Sequence, residues 1–417
     1  MKRSFALACL LVTLATWLAC AVLARPLSAG IAHRWGQAMV RAGDGKFSDA
    51  AVFLQHRIYE GAVLLTLALG LGVAGMGLGT VLARRMAPLW KWVPGSVITF
   101  VGVNLWTKLA IGTCLFWCLF WNGKGTTNNL TQFHIKLLLM QENPAATQVA
   151  LGGSSQIHAQ IDPRLLNRQI GSNIFTTELH FPGNRTFDYL FLDDKLGGRK
   201  ADAIVCYVSE SIFFNGAVSE GLPLFFGFRD LPAFLRLGGK PQWAPKTLGL
   251  GLLGDVLPIF WLRDPISQRV LGDAVAGLGQ AELIASLTSN LEQRAVGAAA
   301  GFRSDAQSEF CFAAFEAFVA RCQAEGRTVV LCCGQMNPVL ARHLNPALRP
   351  KMLTFVAQLA AKYKNVVVVQ ESDLPAQTEA DYQDLSHVTP AAQIRFTEAF
   401  GRILQGLGPA LKQARNP

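Results

Sequence analysis

Two short clusters, one near the middle of the chain and one near its end, hold the residue types that acyl chemistry needs. The first reads Leu151-Gly152-Gly153-Ser154-Ser155-Gln156 and the second Asp384-Leu385-Ser386-His387. A serine in a tight, glycine-flanked turn exposes its Oγ and has backbone N–H groups beside it, so Ser155 is a candidate nucleophile. An Asp three residues before a His can reach the imidazole, fix its tautomer and stabilise the imidazolium. His387, so held by Asp384, can take the proton from the serine. Each cluster alone is weak, because Gly-Ser sequences after strands are mostly plain turns and Asp and His fall three apart by chance. Together they describe a nucleophile and its base, provided the fold brings them to one edge.

The elements between them suit that task. Short apolar runs alternate with helical ones: strands at Thr147–Leu151, Ile174–Phe181, Ala203–Val208, Thr328–Cys332 and the four valines Val366–Val369. Helical spacing runs through Phe187–Leu196, Phe310–Ala324, Pro350–Tyr363 and Ala391–Leu407. Uninterrupted apolar strands separated by helices predict an α/β fold, a three-layer parallel sheet covered on both faces. Ligands and reactive residues of such sheets sit beyond the carboxyl ends of the strands. Ser155 follows the first strand, and Asp384 and His387 lie between the fifth strand and the last helix. A long insertion is expected over 213–303. Its apolar stretch Leu248–Leu262, about 15 residues with Asp255 and Pro258 inside it, is too short to span a bilayer. It reads as a buried or interfacial segment.

The two clusters resemble those of the SGNH, or GDSL-like, hydrolase family over roughly Thr147–Leu407. Gly153-Ser154-Ser155 matches the nucleophile block and Asp384-x-x-His387 the last block. The Gly-Ser-Ser form, followed by Ile161-Asp162-Pro163, looks like the membrane-anchored branch, which includes the teichoic-acid D-alanyl transfer protein and O-acetylation proteins of alginate and other exopolysaccharides. The resemblance implies a Ser155–His387–Asp384 mechanism, with an oxyanion hole from the N–H groups of Ser155 and Gly183. It also implies an acyl group added to or removed from a cell-envelope or exported glycan, with a membrane-bound O-acyltransferase as partner. In one respect the chain departs from the family. The third block usually supplies an Asn after the third strand, where this chain has Ser209-Glu210-Ser211; Asn337, one strand later, is the candidate substitute. That departure keeps a second reading alive, a non-catalytic accessory or glycan-binding protein that partners the acyltransferase.

Weaker candidates surround this set. His158, Asn184 and Arg185 are placed to touch substrate, although His158 serves equally well as a helix residue facing solvent. His180 and His343 read as ordinary strand-end and loop residues. None of the nine cysteines has metal-ligand spacing. Cys206, Cys311, Cys322, Cys332 and Cys333 fall on buried elements, which favours thiols packed as small apolar groups; one disulfide is the alternative. No metal site or phosphate loop is apparent, and no cofactor is expected.

Charge and hydropathy locate the chemistry. The 417 residues carry a formal net charge of +10 with only 16% charged residues. Residues 1–121 hold 11 Lys+Arg against 3 Asp+Glu, whereas 122–417 hold 27 against 25, so the basic excess lies in the apolar third. This removes most of the case for nucleic-acid binding. Three runs, about 4–23, 61–82 and 97–121, are long enough to cross a bilayer. A cleaved signal peptide is the alternative for the first. Basic residues favour the cytoplasmic side, so Lys2, Arg3, Arg84, Arg85 and Lys91 orient the spans and put the rest of the chain outside the cytoplasm. The expected organisation is a membrane anchor over 1–121, a linker over 122–146 and the α/β domain over 147–417. By the resemblance, the anchor sits in a bacterial-type cytoplasmic membrane.

Overall fold

Short strands of largely apolar sequence must be covered on both faces, and the chain does this with a five-stranded, all-parallel sheet and helices on both sides. The computed structural model describes residues 147–171, 173–180, 183–195, 201–219, 226–257, 290–408 and 411. The three apolar runs, the linker and 258–289 lie outside the described residues. The chain divides into two compact units, 143–255 with 276–417 and 1–142 with 256–275. All five strands belong to the first of these. Among the described residues no helix is long and apolar enough to cross a membrane.

The strands are β1 (Thr147–Gly153), β2 (Ile174–His180), β3 (Ala203–Val208), β4 (Thr328–Cys333) and β5 (Val366–Val369), in the order β2-β1-β3-β4-β5. The chain runs outward from β1 to β2, then returns to the other side of β1 and continues through β4 to β5. A crevice therefore opens between the carboxyl ends of β1 and β3, the switch point at which such sheets bind ligands. Register keeps the ends level: Gly153 lies opposite His180, Val208 opposite Cys333, and Cys332 opposite Val369.

Alternate residues of the strands face alternate layers. Val149, Leu151, Val205, Tyr207, Val330 and Cys332 form one core with residues of α1 (Ser155–Gln160), α2 (Pro163–Gln169) and α11 (Pro390–Gly406). On the other face lie α3 (Thr186–Lys195), α4 (Glu210–Phe214), α8 (Ala306–Ala324) and α10 (Leu348–Lys362), packed through aromatic rings. Tyr189 of α3 meets Phe315 and Phe318 of α8 at centroid distances of 5.5 and 5.2 Å, and its hydroxyl donates to the Gly152 carbonyl at 3.2 Å. A Cβ at Gly152 would stand 3.0 Å from that ring, so this close approach requires the glycine. All five described cysteines are buried thiols that fill this interior as small apolar groups.

Every strand and helix expected over 147–417 forms, and differences fall at the ends. Helix α8 starts at Ala306, four residues before its apolar stripe, because Asp305 and Ser308 make a reciprocal capping box. Helix α10 starts at Leu348, since Pro350 is tolerated in a first turn. The insertion supplies α5 (Leu231–Arg236), α6 (Pro245–Val256) and α7 (Leu291–Ala299); α9 (Pro338–Ala341) follows β4. The apolar stretch expected as a buried or interfacial segment forms α6 up to Val256, with Leu248, Gly251 and Gly254 buried. Its continuation from Pro258 lies outside the described residues.

At the carboxyl edge, Arg349 of α10 joins three strand ends. It pairs with both oxygens of Glu210 after β3 (3.0 and 3.1 Å), donates to the Gly334 carbonyl after β4 (3.1 Å), and pairs with Glu371 after β5. Burial pulls the Arg349 pKa down, but the two carboxylates more than offset this and it stays charged. Glu210 is 3% exposed, so removing its partner strands a buried carboxylate. Arg349→Ala is expected to cost about 3 kcal/mol of stability, read as a lower urea midpoint. An unchanged midpoint would mean that the edge does not depend on this clamp.

Candidate active site

The base half of the site is one tightly closed loop. Tyr382 and Val388 form an antiparallel bridge, Gln383 N donates to the His387 carbonyl at 2.8 Å, and Thr389 N donates to the Asp381 carbonyl at 2.7 Å. Inside it, Asp384 Oδ1 accepts the N–H groups of Ser386 and His387 at 2.7 and 2.8 Å, and Oδ2 lies 2.7 Å from His387 Nδ1. An ionised carboxylate only accepts, so Nδ1 carries a hydrogen, and in the neutral ring the lone pair is on Nε2. Burial pushes the Asp384 carboxyl up; the bonds from His387 and the two N–H groups together outweigh it and hold the carboxyl below its ordinary range. The imidazole is thus a base with a fixed tautomer and orientation.

The nucleophile half follows from β1. Its apolar run ends in Gly153, and Ser154 then caps α1, its Oγ accepting from Gln156 N at 3.2 Å. Ser155 is the first residue of α1, so its own N–H has no intrahelical partner. Helix α1 packs on the base loop: Ala159 lies against the cluster of Tyr382, Val388 and Ala392. Gln160 and Gln377 exchange hydrogen bonds of 3.2 and 2.6 Å, and Gln393 Nε2 donates to the His158 carbonyl at 2.9 Å. A cavity of about 260 Å³ lies between the halves, lined by His387, Asp384, Gln156, Ser211 and Met336 and walled by Arg294 and Ala298 of α7 among others. It falls just under the roughly 300–1,000 Å³ of common ligand pockets and suits a short acyl group better than a long chain. A larger hollow of about 570 Å³ at the end of β5 includes Glu371, held by Arg349, but no histidine.

Asp384 and His387 are therefore in direct contact, and α1 packs on their loop. Ser155 Oγ makes no hydrogen bond to His387, and its neighbour Gln156, rather than Ser155 itself, lines the cavity. Catalytic hydrogen bonds are often long in unliganded sites and tighten with substrate. Gly183 has φ +69°, the left-handed region that favours glycine, three residues beyond His180, which pairs with Gly153. Gly183 and Ser155 thus follow the ends of adjacent strands.

Other expectations need correction. Asn337 has a different task from the expected oxyanion donor: its Oδ1 caps α9 through Val339 N at 2.8 Å, and its Nδ2 donates to the Asp384 carbonyl at 2.8 Å. It positions the base loop. Asn184 is 0% exposed, and Arg185 uses Nη1 to hold the Ser211 carbonyl at 3.1 Å; neither lines the cavity, so direct substrate contact is not their role in this structure. His158 sits 2.6 Å from Glu178 Oε1 and is also not a lining residue. His343 ties Glu292 of α7 at 2.7 Å, which helps hold the cavity wall. Among the described residues no His, Cys, Asp and Glu cluster could hold a metal ion. Gln156 and Ser211 are among the lining residues that sequence reasoning missed, because an amide and a hydroxyl carry no chemical signature until β1 and β3 lie side by side.

A comparison of the chain with protein-family models and with curated proteins finds no match. The functional reading therefore rests on the residues themselves.

The lowered Asp384 pKa has a signed consequence. Its stabilising contribution is complete above the unfolded value near 3.8 and is lost as pH falls through the lower folded value. Asp384→Asn should therefore be less stable than the parent at neutral pH, with the gap closing in acid. Urea titrations at several pH values check this, and a gap that widened on acidification would contradict it.

Proposed function

We propose that the chain is a membrane-anchored, serine-dependent acyl ester transferase or hydrolase of SGNH type. Its substrate class is a short-chain acyl ester, with acetyl the leading candidate, on a cell-envelope or exported polysaccharide outside the cytoplasm. The observation that carries this reading is the Asp384–His387 pair, held at 2.7 Å and bordering a cavity shared with Gln156, the residue after Ser155. The long apolar runs and basic flanks of residues 1–121 support a membrane anchor, and a membrane-bound O-acyltransferase is the partner such a system would use.

The chemistry follows from the tautomer. His387 Nε2 takes the proton of Ser155 Oγ as the oxygen attacks the acyl carbonyl carbon. The carbonyl π pair moves onto oxygen, and the N–H groups of Ser155 and Gly183 are the proposed donors to the oxyanion. Collapse restores the carbonyl, breaks the bond to the leaving oxygen, and His387 returns its proton to that oxygen. An acceptor hydroxyl or water then attacks the acyl-serine by the same steps in reverse. Asp384 keeps its charge throughout and stabilises the imidazolium.

A second reading, an accessory or glycan-binding protein without catalysis, draws on one observation: Ser155 Oγ and His387 are not hydrogen-bonded. Fluorophosphonate labelling of the full-length protein in membranes separates the two. The wild type is expected to label and Ser155→Ala is not, while His387→Ala should slow labelling by about 10³-fold or more. Equal labelling of Ser155→Ala would sink the assignment of the nucleophile. An unlabelled wild type that still binds glycan would favour the second reading.

A further inference from the structure

Resting on the serine-hydrolase reading above, we propose that Gln156 is a catalytic residue that donates a hydrogen bond to the oxyanion from its side-chain amide. It would fill the place left open by Ser209-Glu210-Ser211 and by the positioning role of Asn337.

The hydrogens around this side chain do not balance. Gln156 is 6% exposed, and its Oε1 lies 2.8 Å from Ser209 Oγ and 2.9 Å from Ser211 Oγ; the two hydroxyls are 2.7 Å apart. Its Nε2 faces the sulfur of Met336 at 3.9 Å. A thioether has no hydrogen to give, so the amide NH₂ belongs on that side and the carbonyl on the serine side. One Nε2 hydrogen then meets sulfur, and the second has no acceptor among the described residues. Turning the amide over would set its carbonyl oxygen against the sulfur, two acceptors with no hydrogen between them, so the first orientation stands. The amide belongs to a residue that lines the cavity together with Ser211 and His387.

The cluster is also held rigidly, as preorganised stabilisation of charge requires. Ser209 is fully buried. Glu210 between the two serines is locked by Arg349, and the Ser211 carbonyl is held by Arg185. Gln156 itself is attached to Ser155 through one peptide bond, with its N–H capped by Ser154. An acyl carbonyl held in this cavity would lie beside Gln156, whose amide is fixed by these contacts.

Turnover of p-nitrophenyl acetate by the full-length protein tests the assignment, with fluorophosphonate labelling in parallel. Gln156→Glu retains an oxygen for both serines while replacing the donor with an acceptor, and Gln156→Ala deletes the group. Both are expected to lower kcat by about 10²–10³-fold with KM within about threefold. If Gln156→Ala does not fold, Gln156→Glu decides. A wild type that labels at Ser155, with a folded Gln156→Glu whose kcat stays within about threefold, overturns the role of Gln156 alone. A wild type that neither labels nor turns over overturns the serine-hydrolase reading, and this assignment with it.

Discussion

Arg349 reaches three strand ends with one planar, permanently charged fork. Its guanidinium satisfies the buried Glu210 carboxylate, the Gly334 carbonyl and Glu371, which leave β3, β4 and β5 respectively. The carboxyl edge of a parallel sheet needs such a device, because its loops leave the ladder and must satisfy their polar groups elsewhere. A lysine could not replace it, having one compact charge where three acceptors in different directions must be met. With Glu210 fixed, the serines on either side are fixed too, and they in turn hold Gln156.

The site then divides into two bodies with different supports. Asp384 and His387 belong to a loop closed on itself by backbone bonds and tethered by Asn337. Ser155 and Gln156 belong to the first turn of α1, aimed by β1 and by the Ser154 cap. They meet because α1 lays Ala159 and Gln160 against that loop. The proposed proton transfer would depend on this packing: a small displacement of α1 changes the Ser155–His387 separation without touching either residue.

Much of the fold was legible because a buried parallel strand leaves an unmistakable apolar run. Ala203–Val208 and Val366–Val369 coincide with their expected limits, and the other strands differ by two residues or fewer at their ends. Helix starts were harder, since periodicity marks the buried face while caps such as Asp305 mark the end. The Asp384–His387 contact was legible because a three-residue spacing is local. The neighbours of Gly183 were not. Asn184 and Arg185 have substrate-binding chemistry in the abstract, but Asn184 is fully buried and Arg185 holds the Ser211 carbonyl here.

The sequence by itself determined the α/β class, the parallel sheet and the Asp384–His387 contact, because apolar runs and short spacings act locally. It also determined the charge asymmetry between the first 121 residues and the rest, a matter of composition alone. Only the tertiary structure decided that Ser209 and Ser211 hold the Gln156 amide, that Asn337 tethers the base loop, and that Glu210 is clamped by Arg349. Those contacts join residues from 47 to 139 positions apart. Amides and hydroxyls bond to whatever the fold brings within about 3 Å, so their partners are set by strand order and register rather than by their neighbours in the chain.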